Sequence, residues 1–156
     1  MKDKVSRINN EFYKNFPEIY LKPSKVNKFL KKYTNEVEKE IKNKFLKLKL
    51  DKNFVIYANG GFGRKEIFPI SDIDISIVEK NKPKDFKDLE QFISFLWDEG
   101  YKVGHSVRTI SDIKKISKSD LKEYTSYLTR RPIISTDEMD KKINYALSTL
   151  WTKNNF

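Results

Sequence analysis

The spacing of apolar residues predicts a long helix in the first third of the chain. From residue 24 onward they recur every three or four positions, which is typical of an amphipathic helix of about 20–25 residues with an outer face rich in lysine. The apolar positions are Val26, Phe29, Leu30, Tyr33, Val37, Ile41 and Phe45. Ser24 is the expected N-cap, and Pro17 and Pro23 mark residues 1–23 as a loosely ordered lead-in segment.

Two short strands are predicted next. Residues 54–58 form a continuous apolar run that ends at Asn59-Gly60-Gly61, a pattern typical of a buried strand followed by a turn. The second run alternates strictly, so that its two faces differ in character. One face carries Ile73, Ile75 and Ile77, and the other carries Asp72, Asp74 and Ser76.

The remaining elements define the fold class. Periodicity and breaker residues predict a helix over 86–97, a strand over 101–110 interrupted by Gly104, a short helix over 111–122, a strand within 124–134 and a final helix over 137–150. This order predicts an α+β (α/β) architecture, with residues 24–156 forming one domain and no second domain.

Composition excludes several kinds of protein. The chain has 156 residues, no cysteine and one histidine, which excludes a disulfide framework, a thiolate metal site and a His-rich zinc cage. No apolar run approaches the roughly 20 residues that a membrane span needs, and the first residues lack the apolar core of a signal peptide. A cytoplasmic protein with no membrane partner is expected.

The net charge of +10 is concentrated near the N-terminus. Residues 1–53 contain 15 Lys and Arg against 7 Asp and Glu, whereas the remainder contains 17 against 15. We interpret this excess as a solvated, lysine-rich surface, so nucleic acid is not the favoured partner. A basic module in which the helix over 25–49 touches nucleic acid stays open as an alternative, and such binding would weaken steeply with salt.

The chemistry concentrates in residues 57–78. A double glycine, Gly60-Gly61, lets a ligand approach the backbone closely and exposes amides to phosphate, and Arg64 follows within reach. Asp72 and Asp74 project from one face of a strand, two residues apart. Because two like charges so close together are costly, a divalent cation such as Mg²⁺ or Mn²⁺ is expected between them.

This segment resembles a known family. Gly60-Gly61-Phe-Gly63-Arg64-Lys-Glu66-Ile-Phe-Pro69-Ile-Ser71-Asp72-Ile-Asp74 is similar to the nucleotidyltransferase domain of the bacterial PII uridylyltransferase/uridylyl-removing enzymes, in the DNA-polymerase-β-like superfamily. Residues 97–109 (Trp-Asp-Glu-Gly-Tyr-Lys-Val-Gly-His-Ser-Val-Arg-Thr) resemble a second segment of that family, and residues 120–131 a third, more weakly. The resemblance covers residues 54–136.

The resemblance implies a palm fold, with a small mixed sheet flanked by helices, and a metal-dependent transferase. The donor would be a nucleoside triphosphate, with UTP favoured, and the acceptor a protein such as the signalling protein PII. The implied roles are triphosphate binding for Gly60 and Gly61, support of the triphosphate for Arg64 and Ser71, and Mg²⁺ binding for Asp72 and Asp74. His105 is expected to pack beside the site, and Arg130 and Arg131 to lie at the surface or at a strand end.

The sequence departs from the family in two ways. Thr129 stands where the superfamily places a third carboxylate, and the fallback candidates Asp112 and Asp120 have the pattern of helix caps or loop residues. Without that acid, nucleotide binding persists while turnover falls. The hydrolase and sensing domains of the family are also missing, so uridylyl removal is not expected of this chain.

Three interpretations therefore stay open for the chain as a whole: an excised domain, a split or decayed gene, or a stand-alone relative. A minimal antitoxin-type nucleotidyltransferase and a non-catalytic nucleotide-binding remnant are the functional alternatives. The Arg-x-Glu-x-x-Pro-x-Ser segment and the Gly-His-Ser-Val-Arg segment favour the PII-type lineage over the antitoxin type.

Overall fold

The computed structural model describes residues 7, 10–14 and 22–148, without the side chains of residues 117–119. Most of the predicted lead-in segment and the end of the predicted final helix lie outside the described residues. Within the lead-in, Phe12 is buried, and its ring lies 4.9 Å from that of Phe29 and 6.1 Å from that of Phe68.

Helices and strands alternate along the described chain. In order they are α1 (Pro23–Lys47), β1 (Phe54–Ala58), α2 (Gly60–Gly63), β2 (Ile73–Glu79), α3 (Lys87–Asp98), β3 (Val103–Arg108), α4 (Ile110–Ser119), α5 (Leu121–Leu128), β4 (Arg131–Ile134) and α6 (Asp137–Ser148). A short 3₁₀ turn, Leu50–Lys52, connects α1 to β1.

The four strands form one mixed sheet in the order β3-β2-β1-β4. β1 pairs antiparallel with both β2 and β4, whereas β3 runs parallel to β2 and is reached through the crossover helix α3. The predicted fold class, a small mixed sheet flanked by helices, is confirmed.

The two faces of the sheet pack against different helices. Ile73, Ile75 and Ile77 lie on one face in a buried cluster with apolar residues of α1 and α3. On the opposite face, Val55 and Tyr57 of β1 pack with residues of α4, α5 and α6. Helices α4, α5 and α6 leave one end of this face uncovered, and that end contains the predicted site.

Two local predictions are wrong, and a third is narrowed. Helix α1 begins at Pro23 with Lys22 as its N-cap, so Ser24 lies inside the helix, since proline at the first position needs no hydrogen-bond acceptor. Gly104 does not interrupt β3 but pairs in register with Asp74. The strand predicted within 124–134 is present but covers only residues 131–134, and residues 124–128 belong to α5.

The predicted short helix over 111–122 is also divided in two. Asp120 ends α4 and is the N-cap of α5, where its side chain accepts a hydrogen bond from the amide of Glu123. None of the described helices combines the length and the apolar character that crossing a bilayer requires.

Candidate active site

A pocket of about 670 Å³ opens at the uncovered end of the sheet, a size in the usual range for small-molecule sites. The ends of β1, β2 and β3 form its floor, and α5 forms one wall. Floor residues include Asn59, Asp74, Ser76 and Ser106, and wall residues include Asp120, Lys122, Glu123, Thr125 and Thr129.

Two glycines make room for the carboxylate of Asp74. A Cβ atom at Gly104, the partner of Asp74 on β3, would lie 2.6 Å from Asp74 Oδ1. A Cβ atom at Gly60 would lie 3.3 Å from Oδ2, and Gly60 also has a φ of +52°, which favours glycine. Each carboxylate oxygen therefore faces a position without a side chain.

The carboxylates of Asp72 and Asp74 form no direct polar contacts with the other described residues. Within the part of the chain that the structure describes, neither carboxylate has a hydrogen-bond or ion-pair partner. Partial burial raises the pKa of Asp74, the charge of Asp72 raises it further, and Lys122 opposes the increase. Such a pair is suited to a divalent cation, because it offers hard oxygen ligands and excess negative charge.

Further metal ligands would have to come from outside this pair. Among the described residues, no group of three or more Asp, Glu, His or Cys side chains could enclose a metal ion. Mg²⁺ commonly binds one or two carboxylates and completes its coordination with water and substrate phosphates. The two carboxylates fit that kind of open site.

The glycine turn, α2, begins directly after β1 and has no side-chain cap. Asn59 occupies the N-cap position, but its Nδ2 donates to Ser76 Oγ at 2.5 Å instead of bonding to the turn. The backbone amide of Asn59 donates to the carbonyl of Asp74 at 2.9 Å. This bond fixes the start of the turn beside the carboxylate, while the first amides of α2 remain without a side-chain acceptor.

The structure brings only some of the six predicted site residues into the pocket. Gly60 and Asp74 line it, whereas Gly61, Arg64, Ser71 and Asp72 are not among its lining residues. Arg64 is exposed and forms an ion pair with Glu66 at 2.9 Å. Ser71 Oγ accepts a hydrogen bond from the amide of Phe68 at 3.1 Å. The functional roles of all six remain predictions.

The wall formed by α5 is not among the predicted site features, because no helix is predicted over residues 124–128. Its Glu123 accepts a hydrogen bond from Arg108 Nε at 3.2 Å, which joins α5 to the end of β3. Thr129 lies at the C-cap of α5 and faces the same pocket. Helical spacing of the apolar residues in α5 was the signal that could have found this wall.

Of the two fallback acids, only Asp120 lines the pocket. Asp112 forms a capping box with Thr109 at the start of α4, and hydrogen bonds from the Thr109 amide and hydroxyl lower the pKa of its carboxyl. Both acids therefore act as helix caps, as their sequence pattern indicated.

The remaining predicted neighbours differ in position. His105 lines the pocket from β3 as an exposed residue, with its ring 6.1 Å from the ring of Trp97. Arg130 donates to the carbonyl of Tyr127 at 2.7 Å. Arg131 lies at a strand end, one of its two expected positions, since it is the first residue of β4, and its half-buried side chain donates to the carbonyl of Gly63 at 2.9 Å.

Sequence comparison connects this site to known enzymes. The chain is 36% identical over 107 residues to the bifunctional uridylyltransferase/uridylyl-removing enzyme of Haemophilus influenzae (strain PittEE), covering 65% of this chain and 12% of that protein. The enzyme of the same name from Cupriavidus metallidurans is 33% identical over 122 residues, covering 77% of this chain and 14% of that protein. The chain is homologous to these enzymes.

The resemblance drawn from the motif is thereby confirmed. A third relative of the same name, from Novosphingobium aromaticivorans, is 44% identical over 78 residues, covering 49% of this chain and 9% of that protein. The chain thus spans 9 to 14% of the length of these three relatives. No protein-family model matches the chain.

Two solved structures resemble the fold at low sequence identity. A toxin-antitoxin crystallised with AMP-PNP aligns with a TM-score of 0.44 and 16% identity, covering 69% of this chain and 85% of that one. A mutant of the MntA-HpeT toxin-antitoxin aligns with a TM-score of 0.43 and 15% identity, covering 69% of this chain and 84% of that one.

Proposed function

We propose that this chain is a metal-dependent nucleotidyltransferase domain. It transfers a nucleoside monophosphate, UMP in preference to others, from a nucleoside triphosphate to a protein acceptor such as PII. The observation that carries the proposal is that Gly60, at the start of an uncapped glycine turn, and Asp74, whose pKa is raised by burial and by the nearby charge of Asp72, line one open pocket. Homology to uridylyltransferases supports the choice of UMP.

Each of the predicted site residues would have a distinct role. Amides at Gly60 and Gly61 would donate to phosphate oxygens, which is how glycine-rich turns bind anions. Asp72 and Asp74 would hold Mg²⁺, which when bound neutralises charge on the transferred phosphoryl group and on the leaving pyrophosphate. Arg64 is exposed beside the turn, and for it to support the triphosphate its ion pair with Glu66 would have to open.

Proton removal from the acceptor is the weak step of this proposal. Thr129 offers no carboxylate, and the carboxylate of Glu123 is engaged by Arg108. A general base typically contributes about 10²–10⁴-fold to the rate of such a reaction. We therefore expect tight binding of the nucleotide and slow transfer, whether or not further segments accompany this chain.

Calorimetric titration with a non-hydrolysable UTP analogue, with and without Mg²⁺, tests the proposal. We expect Mg²⁺-dependent binding that is stronger for the UTP analogue than for the ATP and CTP analogues. The matched control is the double variant Asp72→Asn/Asp74→Asn, for which we expect affinity to fall by about 100-fold or more without unfolding.

Two results would contradict the proposal at different levels. Failure of the wild-type chain to bind any triphosphate would overturn the nucleotide site itself. Equal or stronger binding of the ATP or CTP analogue would overturn the preference for UMP alone. Transfer of labelled UMP to purified PII, absent in the double variant, then tests the acceptor.

A further inference from the structure

The side chain of Arg131 reaches from β4 to the far end of the glycine turn. Its Nε donates to the carbonyl of Gly63 at 2.9 Å, and its Nη2 donates to the carbonyl of Phe62 at 3.3 Å. Its Nη2 also lies 2.8 Å from the carboxylate of Glu38 on α1. One guanidinium therefore connects the turn to both β4 and the long helix.

The turn has little means of holding its own shape. Three of the four residues of α2 are glycines, which lose more backbone freedom on ordering than any other residue, and a four-residue helix gains little from cooperativity. Side-chain packing cannot replace this at Gly63, where a Cβ atom would lie 2.9 Å from the carbonyl oxygen of Ala58 and 3.3 Å from that of Thr129. The buried ring of Phe62 is the one side-chain anchor of the turn, and external hydrogen bonds to the last carbonyls supplement it.

Arg131 supplies those bonds at the favourable end of the helix. The last carbonyls of a helix lack partners within it and carry partial negative charge, so a cation placed there is stabilising. The planar fork of an arginine can reach two carbonyls and a carboxylate together, which the single ammonium of lysine cannot do with the same geometry.

We infer that Arg131 is a positioning residue for the phosphate-binding turn. By bonding to the carbonyls of Phe62 and Gly63 it keeps the amides of Gly60 and Gly61 in the orientation that receives a triphosphate. The role in binding rests on the proposed function, whereas the ordering of the turn does not. No role in metal binding follows, because Asp72 and Asp74 are held by β2 and its neighbours.

Neighbouring arginines provide a matched experiment. Arg131→Gln removes the fork, Arg131→Lys keeps the charge, and Arg130→Gln removes the adjacent charge, which bonds to Tyr127 and Asn144 instead of the turn. Two ligands distinguish phosphate binding from metal binding. Calorimetry with inorganic tripolyphosphate and Mg²⁺ measures binding at the glycine turn. Electron paramagnetic resonance with Mn²⁺ alone measures binding to the carboxylates.

We expect Arg131→Gln to weaken tripolyphosphate binding by about tenfold and Arg131→Lys to recover only part of that loss. Arg130→Gln should leave the affinity unchanged, and Mn²⁺ affinity should match the wild type in all three variants. A parallel loss of Mn²⁺ affinity, or equal effects of the two Gln variants, would overturn the inference. If Arg131→Lys recovered the full tripolyphosphate affinity, the forked geometry of arginine would not be the cause of the effect.

Hydrogen exchange without ligand tests the ordering of the turn separately. The amides of Gly63 and Arg64, bonded to the carbonyls of Asn59 and Gly60, should exchange about tenfold faster in Arg131→Gln than in Arg130→Gln. Unchanged exchange would overturn the inference. If wild-type protein binds no tripolyphosphate while exchange accelerates as expected, the proposed function fails and the positioning of the turn stands.

Discussion

The two faces of the sheet are built from the same strands, but one face is packed against helices and the other also contains the candidate site. On the isoleucine face, Ile73, Ile75 and Ile77 are each at most 2% exposed and are sealed by α1 and α3. On the opposite face, Asp74 is exposed and Ser76 is buried in a polar contact with Asn59. The isoleucines of β2 thus serve one core, whereas on the other face Asp74 and Ser76 line the pocket and Val78 joins the second apolar cluster.

The difference shows how a small domain supports an unfavourable site. The sealed face gains free energy from continuous apolar burial, whereas the open face holds two like charges without a bonded partner, opposed only by the charge of Lys122 among the described residues. Rigid attachment to a well-packed strand fixes the positions of these carboxylates without contacts of their own. Substitutions on the two faces should therefore affect different observables.

The largest expected effect is on the sealed face. Ile77→Ala removes buried apolar volume and leaves a cavity, so we expect the free energy of unfolding to fall by about 2–4 kcal/mol. Denaturant unfolding measures this change. Mn²⁺ affinity measured well below the unfolding transition should stay close to that of the wild type, and a large loss of it would show that the two faces are not separable.

Gly104→Ala should give the converse result. The new methyl group would lie 2.6 Å from Asp74 Oδ1, so the carboxylate must move, and we expect Mn²⁺ affinity to fall by about tenfold. Ser106→Ala, at the next position on the same face of β3, is the matched control. Equal Mn²⁺ affinity in Gly104→Ala and the wild type would mean that Asp74 does not bind the metal in this orientation.

Thr129→Glu tests whether the open face lacks a base. A carboxylate at this position of the pocket wall would be available to the acceptor hydroxyl, and we expect UMP transfer to PII to accelerate by about tenfold. Thr129→Gln, which has the same size without the charge, should show no acceleration. Acceleration of both variants, or of neither, would contradict the role assigned to the missing acid.

The smallest expected effect concerns the stability of the site. Because the folded-state pKa of Asp74 is raised, its charged form destabilises the fold at neutral pH. The free energy of unfolding therefore increases as the pH falls towards 3.8, the ordinary pKa of this carboxyl. Asp74→Asn should therefore raise the unfolding temperature at pH 7, by no more than about 2 °C because solvent screens the charge. Calorimetry at pH 7 and pH 4 should show the difference shrinking at the lower pH.

Much of the fold could be predicted because its strongest patterns are local. Strict alternation in β2 and the helical spacing of α1 and α3 identify elements that each bury one face. The bounds of β4 were less predictable, because Tyr124, Thr125 and Tyr127 favour strands but belong to α5, and the strand covers only residues 131–134. The helical form of the glycine turn does not follow from its sequence, since three glycines predict no helix and part of what holds the turn comes from Arg131, far along the chain.

The sequence predicts only those features of the candidate site that lie close together along the chain. Gly60-Gly61 and Asp72-x-Asp74 form a motif with fixed spacing, so their proximity follows from one strand–turn–strand unit. The role of Gly104 depends on its register opposite Asp74 across a parallel strand pair, which no local pattern reveals. Likewise, the contact between Arg131 and the turn depends on β4 joining the far side of β1.

That last pairing implies an order of assembly. Arg131 and Gly63 are 68 residues apart in sequence, whereas β1 and β2 are joined by a short connection. Closing a longer loop costs more conformational entropy, so we expect the pairing of β1 with β2 to precede the arrival of β4. On the ribosome, where N-terminal segments emerge first, the carboxylates and glycines would come together early. The nascent chain would gain the Arg131 contacts that order the glycine turn only when β4 joins the sheet.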